Sequence, residues 1–333
     1  MKIWFDFTNP PHANFFNPLI KEFERRGDYT FATAREFVET TKLLELYGIA
    51  FRTYGKHGGK NKFNKINALL NRLLLLSYHV GDFDYSFSSN YEAPLISWLK
   101  RKKSFVFDDN DISPNWLYSK FAHKVISPQY INRKRMSDMG INPNKLITYA
   151  GFKENIYIAD YKTDETFLNK IPFREFVTVR PENTQATYVG DGVYSIVPEL
   201  VKKLTDKGFN ILYLPRYKAD RNLINLTENI YIPDYPLNGL DVCYYSQAVL
   251  TGAGSFSREA AVMGTPAVSF FAGKQFLGVD EEMFKQKLVF HSRNVDNIME
   301  YLLKSNKSLF NPEISKGVQK DLFISLNKAM ITI

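Results

Sequence analysis

Short runs rich in β-branched and aromatic residues alternate with segments of helical spacing along the whole chain, and parallel sheets covered by helices on both faces accommodate that order best. Ile3–Phe7 reads as a strand, Phe15, Phe16, Leu19, Ile20 and Phe23 recur at helical spacing, and Gly27 supplies a stop. The alternation continues as Tyr29–Ala34, a helix over Glu36–Tyr47 stopped by Gly48, and strands at Ala50–Thr53, Tyr85–Ser88, Ser104–Phe107, Lys124–Ser127 and Leu146–Tyr149. It lapses after Gly151 through the charged stretch Asp160–Glu165. A second series follows: strand Phe176–Arg180, helix Ser195–Lys207 stopped by Gly208, then strands Asn210–Leu214, Asn229–Pro233, Ala248–Thr251, Ala267–Phe271 and Leu288–His291. The expected fold class is α/β, with a Rossmann-like domain over 1–150, a linker over 151–172 and a second Rossmann-like domain over 173–312. A closing segment over 313–333, with its helix at Gly317–Met330, has the first domain as its expected packing partner. A chain of 333 residues with 44% hydrophobic content is long and apolar enough for two such cores.

Charge narrows the partners. The balance of 43 Lys and Arg against 35 Asp and Glu leaves +8, which favours anionic ligands without choosing among phosphates, nucleic acid and acidic membranes. Arg101-Lys102-Lys103 and the lysines between Lys56 and Lys65 lack aromatic interleaving or a nucleic-acid motif, so no specific nucleic acid is expected. The lone Cys243 forms no intrachain disulfide, and the scattered histidines show no metal spacing; no metal is expected. MKIWFDFTNPPH reads as a first strand rather than a signal peptide, and no run reaches the roughly 18 apolar residues of a membrane span. The expected compartment is the cytoplasm.

The stretch 56–79 departs from the alternation. YGKHGGKNKFNK sets four lysines around the Gly58-Gly59 pair and leads into the apolar INALLNRLLLLSYH. It reads either as a basic loop and short helix docking on the inner face of an anionic membrane, or as a solvated loop before a core helix.

Residues 251–266, TGAGSFSREAAVMGTP, carry the sharpest chemistry. A strand ending at Thr251, the turn Gly252-Ala253-Gly254-Ser255 and a helix from about Phe256 to Met263 form half of a βαβ unit. Glycines let the backbone approach a ligand, and a helix N-terminus presents unpaired N–H groups, so the pattern predicts an anion site. GxGxxG would need a third glycine at Ser257, and the Walker pattern needs Gly-Lys-Ser/Thr, which is absent. Glu259, one helical turn on, could accept from the vicinal hydroxyls of a ribose whose diphosphate rests on Gly254 and Ser255, or else pair with Arg258.

This block resembles the nucleotide motif of the GT-B superfamily, which holds many glycosyltransferases and the hydrolysing UDP-N-acetylglucosamine 2-epimerases. In the epimerases, D-S-G-G-x-Q-E-E-A-P-x-x-G-K-P binds phosphate through Ser-Gly-Gly and ribose through the second glutamate. The resemblance implies phosphate contacts at Ala253, Gly254 and Ser255 and a ribose contact at Glu259, with Ala253 replacing a serine. Thr178-Val179-Arg180-Pro181-Glu182-Asn183 is similar to the epimerases' T-H-R-R-E-N: Arg180 matches the arginine facing the diphosphate, while Val179 replaces an active-site histidine. Over nearly its full length the chain resembles the domain of unknown function 354 family, through T-N-P-P-H before a Phe-rich helix, Gly151-Phe152-Lys153-Glu154, and the block ending in Gly-Thr-Pro. The implied architecture is GT-B-like, two Rossmann-like domains facing across a cleft.

Candidate chemistry collects after first-domain strands. His12, placed before Phe15-Phe16 and Pro18 much as in the lipid-linked N-acetylglucosaminyltransferases, could take a proton from an acceptor hydroxyl or position its helix. Asp108 and Asp109, in Phe107-Asp108-Asp109-Asn110-Asp111, could serve as base or orient the sugar; Asp109-Asn110-Asp111 also spells a DxD metal-diphosphate pattern, and a solvated turn is the plainer reading. Asn9, Ser88, Ser89 and Asn90 could bind sugar or acceptor, and Ser89 or Asn90 could instead cap the next helix. The expected activity is a glycosyltransferase moving a sugar from a UDP-sugar to a glycan or lipid-linked acceptor without an obligatory metal, the diphosphate being met by Arg180, Gly252, Ala253, Gly254 and Ser255. A 2-epimerase and a non-catalytic nucleotide-sugar or polyanion-binding protein are the alternatives.

Overall fold

The computed structural model describes residues 1–56, 62–113, 116–182 and 194–331. Residues 57–61, which include Lys60, and Asn183 of the Thr-Val-Arg-Pro-Glu-Asn run therefore lie outside the described residues. Contacts divide the chain into one unit of Met1–Tyr157 with Gly317–Ile333 and another of Ile158–Lys316.

In the first unit, strands β1 (Lys2–Phe7), β2 (Tyr29–Glu36), β3 (Phe51–Lys56), β4 (Tyr85–Ser88), β5 (Lys103–Phe107), β6 (Lys124–Pro128) and β7 (Leu146–Tyr149) form a parallel sheet. Their order is β3-β2-β1-β4-β5-β6-β7. The helix Pro10–Arg25 lays Phe15, Phe16, Leu19, Ile20 and Phe23 on one face, where Phe5 and Phe87 stack with centroids 5.2 Å apart. The closing helix Pro312–Ile331 adds Val318, Leu322 and Leu326 to that core, and Gln319 donates to the Ile156 carbonyl at 2.9 Å. It starts five residues before the sequence suggests, because Pro312 suits a first helical position and the Asn311 side chain accepts from Glu313 N–H. Across the sheet, Trp4 and Phe83 pack with Leu76 of the helix Lys62–His79, which at 18 residues is not the short helix expected.

The second unit orders β8 (Val177–Arg180), β9 (Ile211–Tyr213), β10 (Ile230–Tyr231), β11 (Ala248–Thr251), β12 (Ala267–Ser269) and β13 (Val289–His291) as β10-β9-β8-β11-β12-β13, again parallel. The helix Val197–Asp206 buries Val197, Leu200, Val201 and Leu204 against it, each contributing roughly 1.5–3 kcal/mol before entropy is counted. Residues 151–172, expected as a linker, are structured. Phe152 packs on Tyr130, Tyr161 donates to Asp241 at 2.5 Å, Phe167 stacks on Tyr245, and the division between units falls at Tyr157/Ile158.

Strand order reverses between β1 and β4 in the first unit and between β8 and β11 in the second. In doubly wound sheets the loops leaving the carboxyl ends at such reversals diverge and leave a crevice that binds ligands.

Candidate functional site

In the second unit Arg180 ends β8 and pairs in register with Thr251, which ends β11, so both sequence motifs leave the sheet at its reversal point. The helix Gly254–Val262 starts at Ala253, which has extended backbone; no side chain caps it and no acidic residue stands in its first turn. Its N-terminal N–H groups thus keep their partial positive charge for an anion. Arg180 lies 5.8 Å over the Phe256 ring. Its desolvation and the nearby Arg216 hold its pKa down to about 10, partly offset by Glu259 and Asp220; it stays cationic at neutral pH, in a site that disfavours uncompensated positive charge. Arg258 is buried and pairs with Asp280 at 2.5 Å, while its other nitrogen reaches the Ser255 hydroxyl at 3.4 Å. The Arg258 cation thus has Asp280 as its direct counter-ion, while Glu259, half-buried, acts on Arg180.

Gly252 has a structural reason to be glycine. A Cβ there would stand 2.4 Å from Glu182 Cα and 2.8 Å from its nitrogen, so the turn is glycine because the loop after β8 crosses it. Glu182 is itself held, accepting from Ser195 at 2.7 Å and Ile196 N–H at 3.1 Å and pairing with Arg293 at 3.1 Å. Gly252→Ala is expected to lower stability by about 1–3 kcal/mol, read as a fall in the urea midpoint at unchanged slope; an unchanged midpoint would refute this packing role.

In the first unit, a cavity of about 400 Å³ opens where β1 and β4 diverge, lined by Asn9, Arg35, Arg72, Ser89, Asp108 and Tyr118 among others. A second, of about 260 Å³, shares Asn9, Ser89 and Asp108 with it and adds His12, Asp109 and Lys153. The candidates His12, Asp108, Asp109, Asn9 and Ser89 are thereby brought together. Asp108 accepts from the Tyr118 hydroxyl and from Asn110 N–H at 2.9 Å. Burial raises its pKa to about 7, against the lowering effect of those hydrogen bonds. His12 lies 3.4 Å from the Thr8 hydroxyl; desolvation, then Lys153, push its pKa down to about 3, so the ring is neutral at physiological pH. Asp109 pairs with Lys153 at 2.6 Å. Asp111 is fully buried, accepts from Asn132 N–H at 3.0 Å and lies 4.0 Å from Arg135, so the two carboxylates of the DxD triplet face separate protein partners.

Ser88 is buried within β4, whereas Ser89 faces the cavity. Asn90 uses its side chain twice, donating to Asp6 at 2.7 Å and accepting from Ala93 N–H at 3.1 Å. Asp6 belongs to a buried network absent from the sequence reading. Arg72 bonds both its oxygens at 2.7 and 3.0 Å, also pairs with Glu92 at 3.0 Å, and Thr33 donates to Asp6 at 2.5 Å. Burial would lower the Arg72 pKa, but the two carboxylates more than offset it and raise it. Its one sequence signal is a lone cation within LLNRLLLL. Arg35, also missed, donates to the Thr8 carbonyl at 2.9 Å and to Asn9 at 3.2 Å, while its buried Nε has no acceptor among the described residues.

The family model described as protein of unknown function (DUF354) matches residues 1–327. An uncharacterised protein of Methanocaldococcus jannaschii is 25% identical over 316 residues, 91% of each chain. Among solved structures, the chain is similar to the UDP-GlcNAc 2-epimerase of Methanocaldococcus jannaschii at 12% identity and TM-score 0.71, covering 98% of this chain and 100% of that one. It is likewise similar to the UDP-GlcNAc 2-epimerase of Neisseria meningitidis bound to UDP-GlcNAc (14%, TM-score 0.70, 98% and 100%) and to the glycotransferase of kitacinnamycin (10%, TM-score 0.61, 98% and 97%). The fold is therefore GT-B-like.

Proposed function

We propose that this chain, which belongs to the DUF354 family, is a nucleotide-sugar enzyme that transfers the glycosyl group of a UDP-sugar to an acceptor hydroxyl. The observation that carries the reading is the uncapped helix N-terminus at Gly254, set at a sheet reversal beside the desolvated Arg180, with Glu259 on the same helix. In this reading the diphosphate rests on the N–H groups around Gly254 and Ser255 and on Arg180, and Glu259 accepts from the ribose hydroxyls. The first unit holds the acceptor near Asn9, Ser89 and Arg35, whose buried Nε–H awaits an oxygen.

Asp108 removes the hydroxyl proton as the acceptor oxygen bonds to the anomeric carbon. The bond from that carbon to the phosphate oxygen breaks, its electron pair leaves with UDP, and Arg180 with the helix N-terminus stabilises the charge. A pKa near 7 suits Asp108 to this task better than His12, whose basicity is suppressed; His12 then serves as a neutral hydrogen-bonding group. Val179, buried and unable to titrate, favours transfer over 2-epimerisation in this reading, since the motif resemblance sets it against an active-site histidine of the epimerases.

Calorimetric titration with UDP, ADP, GDP and CDP tests the nucleotide site. UDP is expected to bind, and Glu259→Ala to weaken it by about 10- to 100-fold, the loss of one or two charge-assisted hydrogen bonds. Absence of nucleotide binding, or equal affinity in the variant, would refute the assignment. Release of UDP and N-acetylmannosamine from UDP-N-acetylglucosamine alone would replace transfer with epimerisation.

A further inference from the structure

The helix Lys62–His79 has two dissimilar sides. On one, Leu76 is fully buried, Arg72 is locked to Asp6, and Ala68, Leu69 and Arg72 line the first-unit cavity. On the other, Ile66, Leu70, Leu74 and Tyr78 recur every four residues and are 54%, 53%, 71% and 85% exposed. Residues four apart lie on one ridge of a helix, so this is a continuous apolar stripe rather than scattered surface residues. No helix among the described residues is long and apolar enough to cross a membrane, and this one carries its apolar surface along its flank.

Charge identifies what the stripe meets. From Phe51 to Gly81 the chain has no aspartate or glutamate, but it has Arg52, Lys56, Lys60, Lys62, Lys65 and Arg72. Lys62 and Lys65 stand in the first turn of the helix, and Lys56, which closes β3, is exposed and lies 3.3 Å from the likewise exposed Glu36. An apolar stripe on a helix that carries no acidic residue and opens with Lys62 and Lys65 complements an interface that is apolar below and anionic above. We propose that the helix Lys62–His79 docks lengthwise on an anionic lipid bilayer, with Ile66, Leu70, Leu74 and Tyr78 entering the acyl boundary. The opposite side of the same helix then holds the first-unit cavity at the lipid surface, within reach of a membrane-borne acceptor. Docking needs no nucleotide, so loss of vesicle binding and loss of UDP binding are separate results.

Co-sedimentation of the full chain with phosphatidylcholine vesicles containing about 30% phosphatidylglycerol tests this. Binding is expected, weakening on pure phosphatidylcholine and in raised salt. Leu70→Glu/Leu74→Glu should weaken it about tenfold or more, whereas Leu303→Glu, at a 62% exposed leucine of the second unit, should not. Because both helix positions are exposed, the variant is expected to keep its urea midpoint. Tyr78→Trp supplies a second reading from an otherwise intact chain: its added fluorescence should be quenched by brominated acyl chains. No binding to anionic vesicles, equal binding by the double variant, or no added quenching would overturn the proposal. So would a dimer that the double variant dissociates without any vesicle binding, which would make the stripe a contact between copies.

Discussion

Asp108→Asn is expected to lower turnover of the UDP-sugar by about 10²- to 10⁴-fold while leaving UDP affinity in the second unit intact, the usual loss when a general base is removed. Asparagine keeps the shape: its Oδ1 can still accept from Asn110 N–H while its amide nitrogen donates to the Tyr118 hydroxyl oxygen, so packing is preserved while proton uptake is lost. The wild-type rate should rise with pH and level off above about 7, since the base works deprotonated and burial raises its pKa to about 7. Stability should respond in the opposite sense. A carboxyl whose folded pKa lies above its ordinary value near 4 contributes stability that is complete below that value and is lost as pH rises through about 7. Asp108→Asn should remove that part of the pH dependence, which urea unfolding at pH 5 and pH 8 would detect. A rate flat between pH 6 and 8, or turnover within threefold of wild type in the variant, would exclude Asp108 as the base.

Arg72→Leu should destabilise the first unit by about 3–5 kcal/mol, among the largest losses a single substitution produces. Leucine fits the apolar run around it, yet it leaves Asp6 and Glu92 side by side without their counter-ion, and the Tyr54 carbonyl without the Nε–H that donates to it at 3.0 Å. The cost arises from stranded buried carboxylates rather than from a lost attraction, because an intact buried pair gains little over well-packed apolar residues. Asp6→Leu/Arg72→Leu should accordingly recover part of the loss, with Glu92 still unmatched. A single variant that unfolds within 1 kcal/mol of wild type would show that water or rearrangement reaches this network. The consequence for function is local: Asn90 is fastened to the same Asp6, and both Asn90 and Arg72 line the first-unit cavity.

Most strands were legible from short runs rich in β-branched and aromatic residues; Tyr85–Ser88, Leu146–Tyr149 and Ala248–Thr251 coincide with their expected bounds. Helix limits were less legible, because caps such as Asn311 act through hydrogen bonds that apolar periodicity does not register. The proposed nucleotide-site residues Gly254, Ser255 and Glu259 span about one and a half helical turns, so their spacing alone places them on one helix.

The sequence by itself determined two parallel α/β layers, a glycine-rich turn without a third glycine or a lysine, and a carboxylate-free basic stretch leading into an apolar helix. Tertiary structure decided what joins residues far apart in the chain. It set Arg72 on Asp6, Lys153 on Asp109, and Arg35 against Asn9, and it showed that Gly252 yields space to Glu182. It also decided which side of the helix Lys62–His79 is buried. The physical reason is that local spacing controls backbone conformation over a few residues, whereas charge pairing, desolvation and close approach depend on which strands become neighbours. That choice is made only when the sheet assembles.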